Sequence, residues 1–240
     1  MLQNFDLNDF NNFKNYFNIK NSPWEYDIIY LNKAKKYLNI LKFCPWLRLA
    51  WVGNSTSMNY GNKESDIDLF LVFEENMMWF WRIFFTIFFS ILGLRKTKNK
   101  HAWRFCLSFF ATTSWVDFSN FAIKNDIYLY FWIVYFKPII DINNTFDLFI
   151  NKNNSWADFK NYENIINENK SNIVYKKTNV KNSNFILKYI DNILKYFFIK
   201  KTTINFNKLN KPYGIVINKH LLKFHNDDKR LEISTKLIND

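Results

Sequence analysis

The chain has 240 residues, with 33 Lys and Arg against 21 Asp and Glu and a formal net charge of +12. Apolar residues make up 48% and aromatics 20%, too much hydrophobic mass for a disordered chain and enough for one large domain or two small ones. Only four residues are glycine (Gly53, Gly61, Gly93 and Gly214), which excludes a Gly-rich dinucleotide fingerprint, a G-x-x-x-x-G-K-[ST] phosphate loop and a collagen-like design.

Residues 1–25 form a polar, Asn-rich lead-in without the basic and apolar regions of a secretory signal. Cys44 and Cys106 are too few for a disulfide framework. Together with His101, His220 and His225 they show no zinc spacing. A reducing cytoplasm is the expected compartment. Residues 24–42 carry apolar positions at helical spacing, and Cys44-Pro45 ends that helix. Residues 47–52 read as a strand, 53–65 as a polar turn and 67–73 as a second strand.

Residues 77–94 are almost wholly apolar, with Arg82 the single charge. A buried helix is preferred over a membrane-lying helix or a span, because a span would separate the flanking strands. Gly93 and the basic run Arg95, Lys96 and Lys98 mark its C-terminal end. Residues 104–112 read as a third strand, and residues 127–135 fit helix or strand equally. Beyond residue 146 the chain turns Asn- and Lys-rich, with helical spacing over 185–198. The expected organisation is a lead-in (1–25), a mixed α/β (α+β) domain (26–145) and a basic, mainly helical region (146–240).

The chemistry concentrates in 52–72, VGNSTSMNYGNKESDIDLFLV. Asp66 and Asp68 are two apart, so a strand presents both carboxylates on one face and Ile67, Leu69 and Leu71 on the other. Adjacent carboxylates repel unless a cation sits between them, and oxygen donors suit Mg²⁺ or Mn²⁺ together with substrate phosphates. Upstream, Gly53, Asn54 and Ser55 are small residues that let backbone N–H groups and a hydroxyl approach phosphate oxygens. Strand, small-residue turn, loop and carboxylate pair together are what nucleotidyl transfer requires.

In Ser65-Asp66-Ile67-Asp68-Leu69 the segment resembles the nucleotidyltransferase superfamily, whose members are similar to polymerase beta. Asn54-Ser55 stands where the family has Gly-Ser, with Gly53 one position early. Either the loop is one residue longer or Asn has replaced the glycine. The resemblance covers about residues 26–145, taking in Cys44-Pro45-Trp46, Gly93-Leu94-Arg95-Lys96 and the strand around Cys106, and looks like a bacterial group of nucleotidyltransferase-domain proteins. It implies a small mixed sheet flanked by helices, an NTP substrate, a hydroxyl acceptor and a third carboxylate from a later strand. Residues 104–112 contain no acid; Asp117 is the nearest candidate, ahead of Asp126 and Asp141.

Residues 170–240 hold 15 Lys and Arg against 5 Asp and Glu, nearly all of the charge excess. A solvated Lys surface over an aromatic core is the first reading of this region. Nucleic-acid binding by phosphate contacts and stacking is the second. Three functional hypotheses therefore stand: a metal-dependent nucleotidyltransferase, a non-catalytic binding module on that scaffold, and a protein anchored to a membrane through 77–94.

Overall fold

The computed structural model describes residues 2–97, 99–180, 184–207, 214–224 and 228–238. Lys98 and His225, both noted in the sequence, lie outside the described residues. Helix α1 (Leu7–Phe17) starts at a reciprocal cap: Asp9 N–H donates to Asp6, and Asp6 N–H donates to Asp9. Phe5 and Phe13 are buried in the main core, so the lead-in, whose sequence suits a loose or a helical segment, is a docked helix. Helix α2 (Glu25–Leu41) buries Leu31, Ala34, Leu38 and Leu41 of the predicted stripe together with Tyr30, while Ile28, expected in the stripe, is exposed and Ile29 is half-buried.

Strand β1 (Leu47–Gly53) is buried along its whole length and leads directly into the four-residue helix α3 (Asn54–Ser57). Strand β2 (Ile67–Phe73) returns antiparallel to β1, with Ala50 opposite Leu71 and Gly53 opposite Asp68. Helix α4 (Met78–Ile91) crosses to strand β3 (Phe105–Thr112), which runs parallel to β2. A parallel neighbour needs such a crossover, because a tight turn can only reverse the chain.

Helix α5 (Ile127–Val134) resolves the ambiguous apolar run. Seven of its eight residues are buried, so its sequence is apolar on every side and carries no period. It leads into strand β4 (Lys137–Ile142), antiparallel to β1 on the side away from β2. Helices α6 (Thr145–Asn153) and α7 (Glu163–Asn169) precede strand β5 (Tyr175–Lys177), which pairs with β4. Helix α8 (Phe185–Asn207), strands β6 (Ile215–Ile217) and β7 (Leu221–Phe224) and helix α9 (Arg230–Ile238) complete the fold.

The sheet order is β5-β4-β1-β2-β3-β7-β6. The fold is therefore α+β, as expected, but the sheet draws three of its seven strands from beyond residue 146. β7 pairs with Phe109–Ala111 of β3, so the basic region is built into the sheet at that edge. Trp51, Phe70 and Phe109 fill one face of the sheet against α1, α5 and α6. Val52, Leu69 and Phe110 fill the other against α2 and α4.

Helix α4 buries Met78, Trp79, Phe85 and Phe89 against that second face. Among the described residues no helix is long and apolar enough to cross a membrane. The chain leaves α4 through Gly93 at φ +65°, a conformation that favours glycine. It then zips onto β3: Phe105 N–H donates to Leu94 O at 2.8 Å and Lys96 N–H to Phe105 O at 2.9 Å. This run places Lys96 next to the start of β2.

The glycine shortage has a local counterpart. Eight of the nine described non-glycine residues at positive φ are Asn. Asn tolerates the left-handed region because its short polar side chain bonds locally, so it takes turn positions that other proteins give to glycine.

Candidate active site

Asp66 immediately precedes β2 and Asp68 is its second residue, so pleating puts both carboxylates on one face. Register then sets their neighbours. Gly53 of β1 lies opposite Asp68 on one side, and Cys106 of β3 lies opposite it on the other. The β2–β3 register shifts between Asp68 and Phe70, where β3 carries an extra residue between Cys106 and Phe109. Such bulges re-aim side chains beside functional sites.

The turn before the pair is held from several directions. Asn54 sits at φ +53°, the backbone conformation that glycine favours. Its side chain donates to Asp68 Oδ2 at 2.7 Å and accepts from the Tyr128 hydroxyl at 3.3 Å. Asp27 of α2 accepts from Gly61 N–H at 2.8 Å, and a Cβ at Gly61 would stand 2.5 Å from that carboxylate. Tyr30 donates to Asn62 O at 2.7 Å, and Lys137 donates to Asn59 Oδ1 at 2.7 Å. Burial draws the Lys137 ammonium down to about 8, partly offset by Asp27. Gly53 has another reason to be glycine: a Cβ there would meet Trp132 Nε1 at 3.1 Å. Ser55 is half-buried on α3, beside Asn54.

The electrostatics centre on Asp68. Burial, then the adjacent Asp66, push its carboxyl up to about 6, against lowering by Asn54, Cys106 and Lys96. Lys96 Nζ lies 2.6 Å from Asp66 Oδ2, an ion pair set off the direction of a good hydrogen bond. An ammonium therefore already balances the Asp66 carboxylate. Cys106 offers its Sγ in the same group, with the donor atoms of Asp66, Asp68 and Cys106 all within 4.8 Å of one another. Burial and the two carboxylates raise that thiol well above its ordinary value. The two carboxylates fit a hard divalent cation such as Mg²⁺ or Mn²⁺, and the thiol adds a soft donor that Mg²⁺ does not favour.

Gly53, Asn54, Asp66 and Asp68 are thus brought together, with Ser55 next in the turn. The three candidate third acids are not. Asp117 follows the C-terminal end of β3, whereas Cys106 and the pair lie at its start. Its carboxylate accepts from Ser119 N–H at 2.8 Å, a local turn bond. Asp126 caps α5 and pairs with Arg230 at 2.8 Å. Asp141 lies opposite Leu49, toward the other end of β1 from Gly53, and accepts from Phe146 N–H. Among the described residues the third member of the group is a thiol. Lys96 and Tyr128 were not legible as site residues. Lys96 read as a helix-end charge, and Tyr128 as part of a buried apolar run.

No family model matches the chain, and neither a curated protein nor a solved structure matches it.

Proposed function

We propose that the chain is a metal-dependent nucleotidyltransferase, resembling the polymerase beta-like superfamily, that moves a nucleoside monophosphate from an NTP to a hydroxyl. The observation that carries this reading is Asp66 and Asp68 side by side at the start of β2, with the Asn54–Ser55 turn bonded to Asp68. Asp66 and Asp68 are the residues that would hold Mg²⁺ or Mn²⁺. Such an ion supplies neutralisation of phosphate charge and alignment of the reacting groups. Asn54 fixes the Asp68 carboxylate, and Lys96 balances the charge of Asp66 until the ion and substrate arrive. In the reaction the acceptor oxygen bonds the α-phosphorus, the α–β bridging P–O bond breaks, and pyrophosphate leaves with the electron pair. The hydroxyl proton passes to water.

The test is incubation of the protein with labelled NTPs, Mg²⁺ or Mn²⁺ and candidate acceptors, beside Asp66→Ala/Asp68→Ala. Label transferred by the wild type alone supports the reading; equal product from both sinks it. One observation favours a second reading, a weak or inactive module that binds nucleotide or nucleic acid. Cys106 stands where the resemblance calls for a carboxylate that helps activate the acceptor hydroxyl. On that reading nucleotide binds with no transferred label, and any nucleic-acid binding survives Asp66→Ala and falls steeply with salt.

A further inference from the structure

Helix α8 is apolar on two sides. Its inner side packs against α4. There the buried Asp191 accepts from Phe80 N–H at 2.7 Å, taking up one of the open N–H groups at the start of α4. Leu194 and Phe198 pack on the second core from the same side. The outer side carries Phe185, Ile186, Tyr189, Ile193, Tyr196 and Phe197, all exposed. Phe185 is 81% exposed, Tyr196 74% and Phe197 64%, so these rings stand out in solvent. At 3.6 residues per turn the six side chains fall within an arc of about 120°. Exposed apolar residues scattered singly are ordinary, but a stripe of them along one helix marks an interaction surface. α4 adds Phe84, Ile87 and Ile91, exposed on one side of that helix at i, i+3 and i+7.

The charge around the stripe has one sign. α8 holds four lysines and a single acid, Asp191, which is committed to α4. Lys188 and Lys195 border the arc on one side and Lys201 on the other, while Lys200 stands within it. α4 holds Arg82 and no acid. Lysine stems lie along apolar surface and lift their ammonium groups to a polar layer above it.

Three occupants place different demands on such a face. A second copy of this chain, meeting α8 with α8, sets the lysines against their own equivalents, and like charges oppose that contact. Single-stranded nucleic acid pairs with the lysines and stacks on the rings, but its bases cannot stack on Ile186 or Ile193. A bilayer with anionic headgroups satisfies both components. Its acyl region takes up the rings and the isoleucines, and its headgroups neutralise the bordering ammonium groups. We infer that the outer face of α8, with the exposed residues of α4, rests on an anionic lipid surface and holds the protein there peripherally. The helix lies in the plane of the interface, and among the described residues no helix is suited to cross it. The surface belongs mainly to α8, because the apolar run at 77–94 spends its inner side on the core. The inference goes beyond the transfer reading and does not depend on it.

The experiment is co-sedimentation of the full chain with two sets of vesicles. One set is phosphatidylcholine alone, and the other is phosphatidylcholine and phosphatidylglycerol in equal parts. The mixed vesicles should bind the protein about tenfold or more tighter than phosphatidylcholine alone, and salt should weaken that binding. Tyr196→Gln/Phe197→Gln should weaken binding to the mixed vesicles by about tenfold or more. Lys188→Gln/Lys195→Gln/Lys201→Gln should weaken it by about fivefold per lysine. Tyr196 and Phe197 are exposed and glutamine is a good helix former, so circular dichroism should show an unchanged fold. Ile186→Gln/Ile193→Gln probes the same stripe and keeps the test valid if the first variant misfolds. Asp66→Ala/Asp68→Ala should sediment with vesicles as the wild type does, which separates this inference from the transfer reading.

No sedimentation with either set overturns the inference. Equal binding to both sets removes the anionic surface, and binding untouched by both apolar variants removes α8; either result overturns it too. A dimer in sedimentation velocity that Tyr196→Gln/Phe197→Gln dissociates would make the stripe an interface between copies. A short single-stranded oligoribonucleotide whose binding that variant abolishes, and which mixed vesicles do not compete away, would make it a nucleic-acid surface. Each of these last two results also overturns the assignment.

Discussion

Replacing Asp68 with asparagine tests the charge balance of the site directly. Asp68 is held at about 6 in the folded protein against an ordinary 3.8, because it is buried and faces Asp66. A carboxyl whose pKa rises on folding favours the folded state while protonated. That contribution is fully present below about pH 4 and is lost as pH rises through about 6. A rise of this size corresponds to at most about 3 kcal/mol, reduced by whatever relaxation the loop allows. The Asp68→Asn variant would keep the bond from Asn54 through its own side-chain carbonyl and would carry no charge at that position. The unfolding free energy of Asp68→Asn minus that of wild type, from urea titrations without divalent ions, should therefore rise by roughly 1–3 kcal/mol between pH 4 and pH 7.5. Taking the difference cancels the other titrating groups. Saturating Mn²⁺ should stabilise the wild type more than the variant and narrow the gap. Parallel pH profiles, or a gap that Mn²⁺ leaves untouched, would refute both the strained pair and its use as a cation site.

Asn54→Ala should destabilise by about 1–2 kcal/mol relative to Asn54→Gly, since alanine pays the left-handed backbone penalty and glycine does not; thermal unfolding compares them. Gly53→Ala should cost about 1–3 kcal/mol by crowding Trp132, with no backbone strain at φ −118°, and should perturb tryptophan fluorescence. Cys106→Asp should lower apo stability above pH 6 and enlarge the melting-temperature rise produced by Mn²⁺; a smaller rise than wild type would speak against a shared cation position. Asp117→Ala should leave Mn²⁺ stabilisation and label transfer at wild-type levels, because its carboxylate bonds a local turn at the far end of β3.

Much of the fold was legible because burial is one-sided wherever an element meets solvent. The second strand, at 67–73, was read to the residue, since Asp66 and Asp68 interrupt an apolar run on one face only. The helix at 24–42 carried a clear stripe and a stop at Cys44-Pro45. Residues 127–135 were ambiguous because a segment buried on all sides has no polar face to reveal its period. The short strands β5, β6 and β7 were missed for a related reason. Three or four residues are too few for alternation to stand out, and pairing with β3 and β4 is what makes them strands.

The site divides along the same line. By itself the sequence determined the carboxylate pair and the turn preceding it, because both lie within one local segment whose geometry follows from strand alternation. It also showed how few glycines the chain has, and the backbone shows Asn standing in their place at left-handed positions, Asn54 among them. Tertiary structure alone decided what surrounds the pair. The parallel register of β2 and β3 put a thiol, not Asp117, beside Asp68. The zipper after α4 carried Lys96 onto Asp66. These neighbours are 28 to 40 residues from the pair in sequence, so their distance in space depends on strand pairing, which no local pattern encodes.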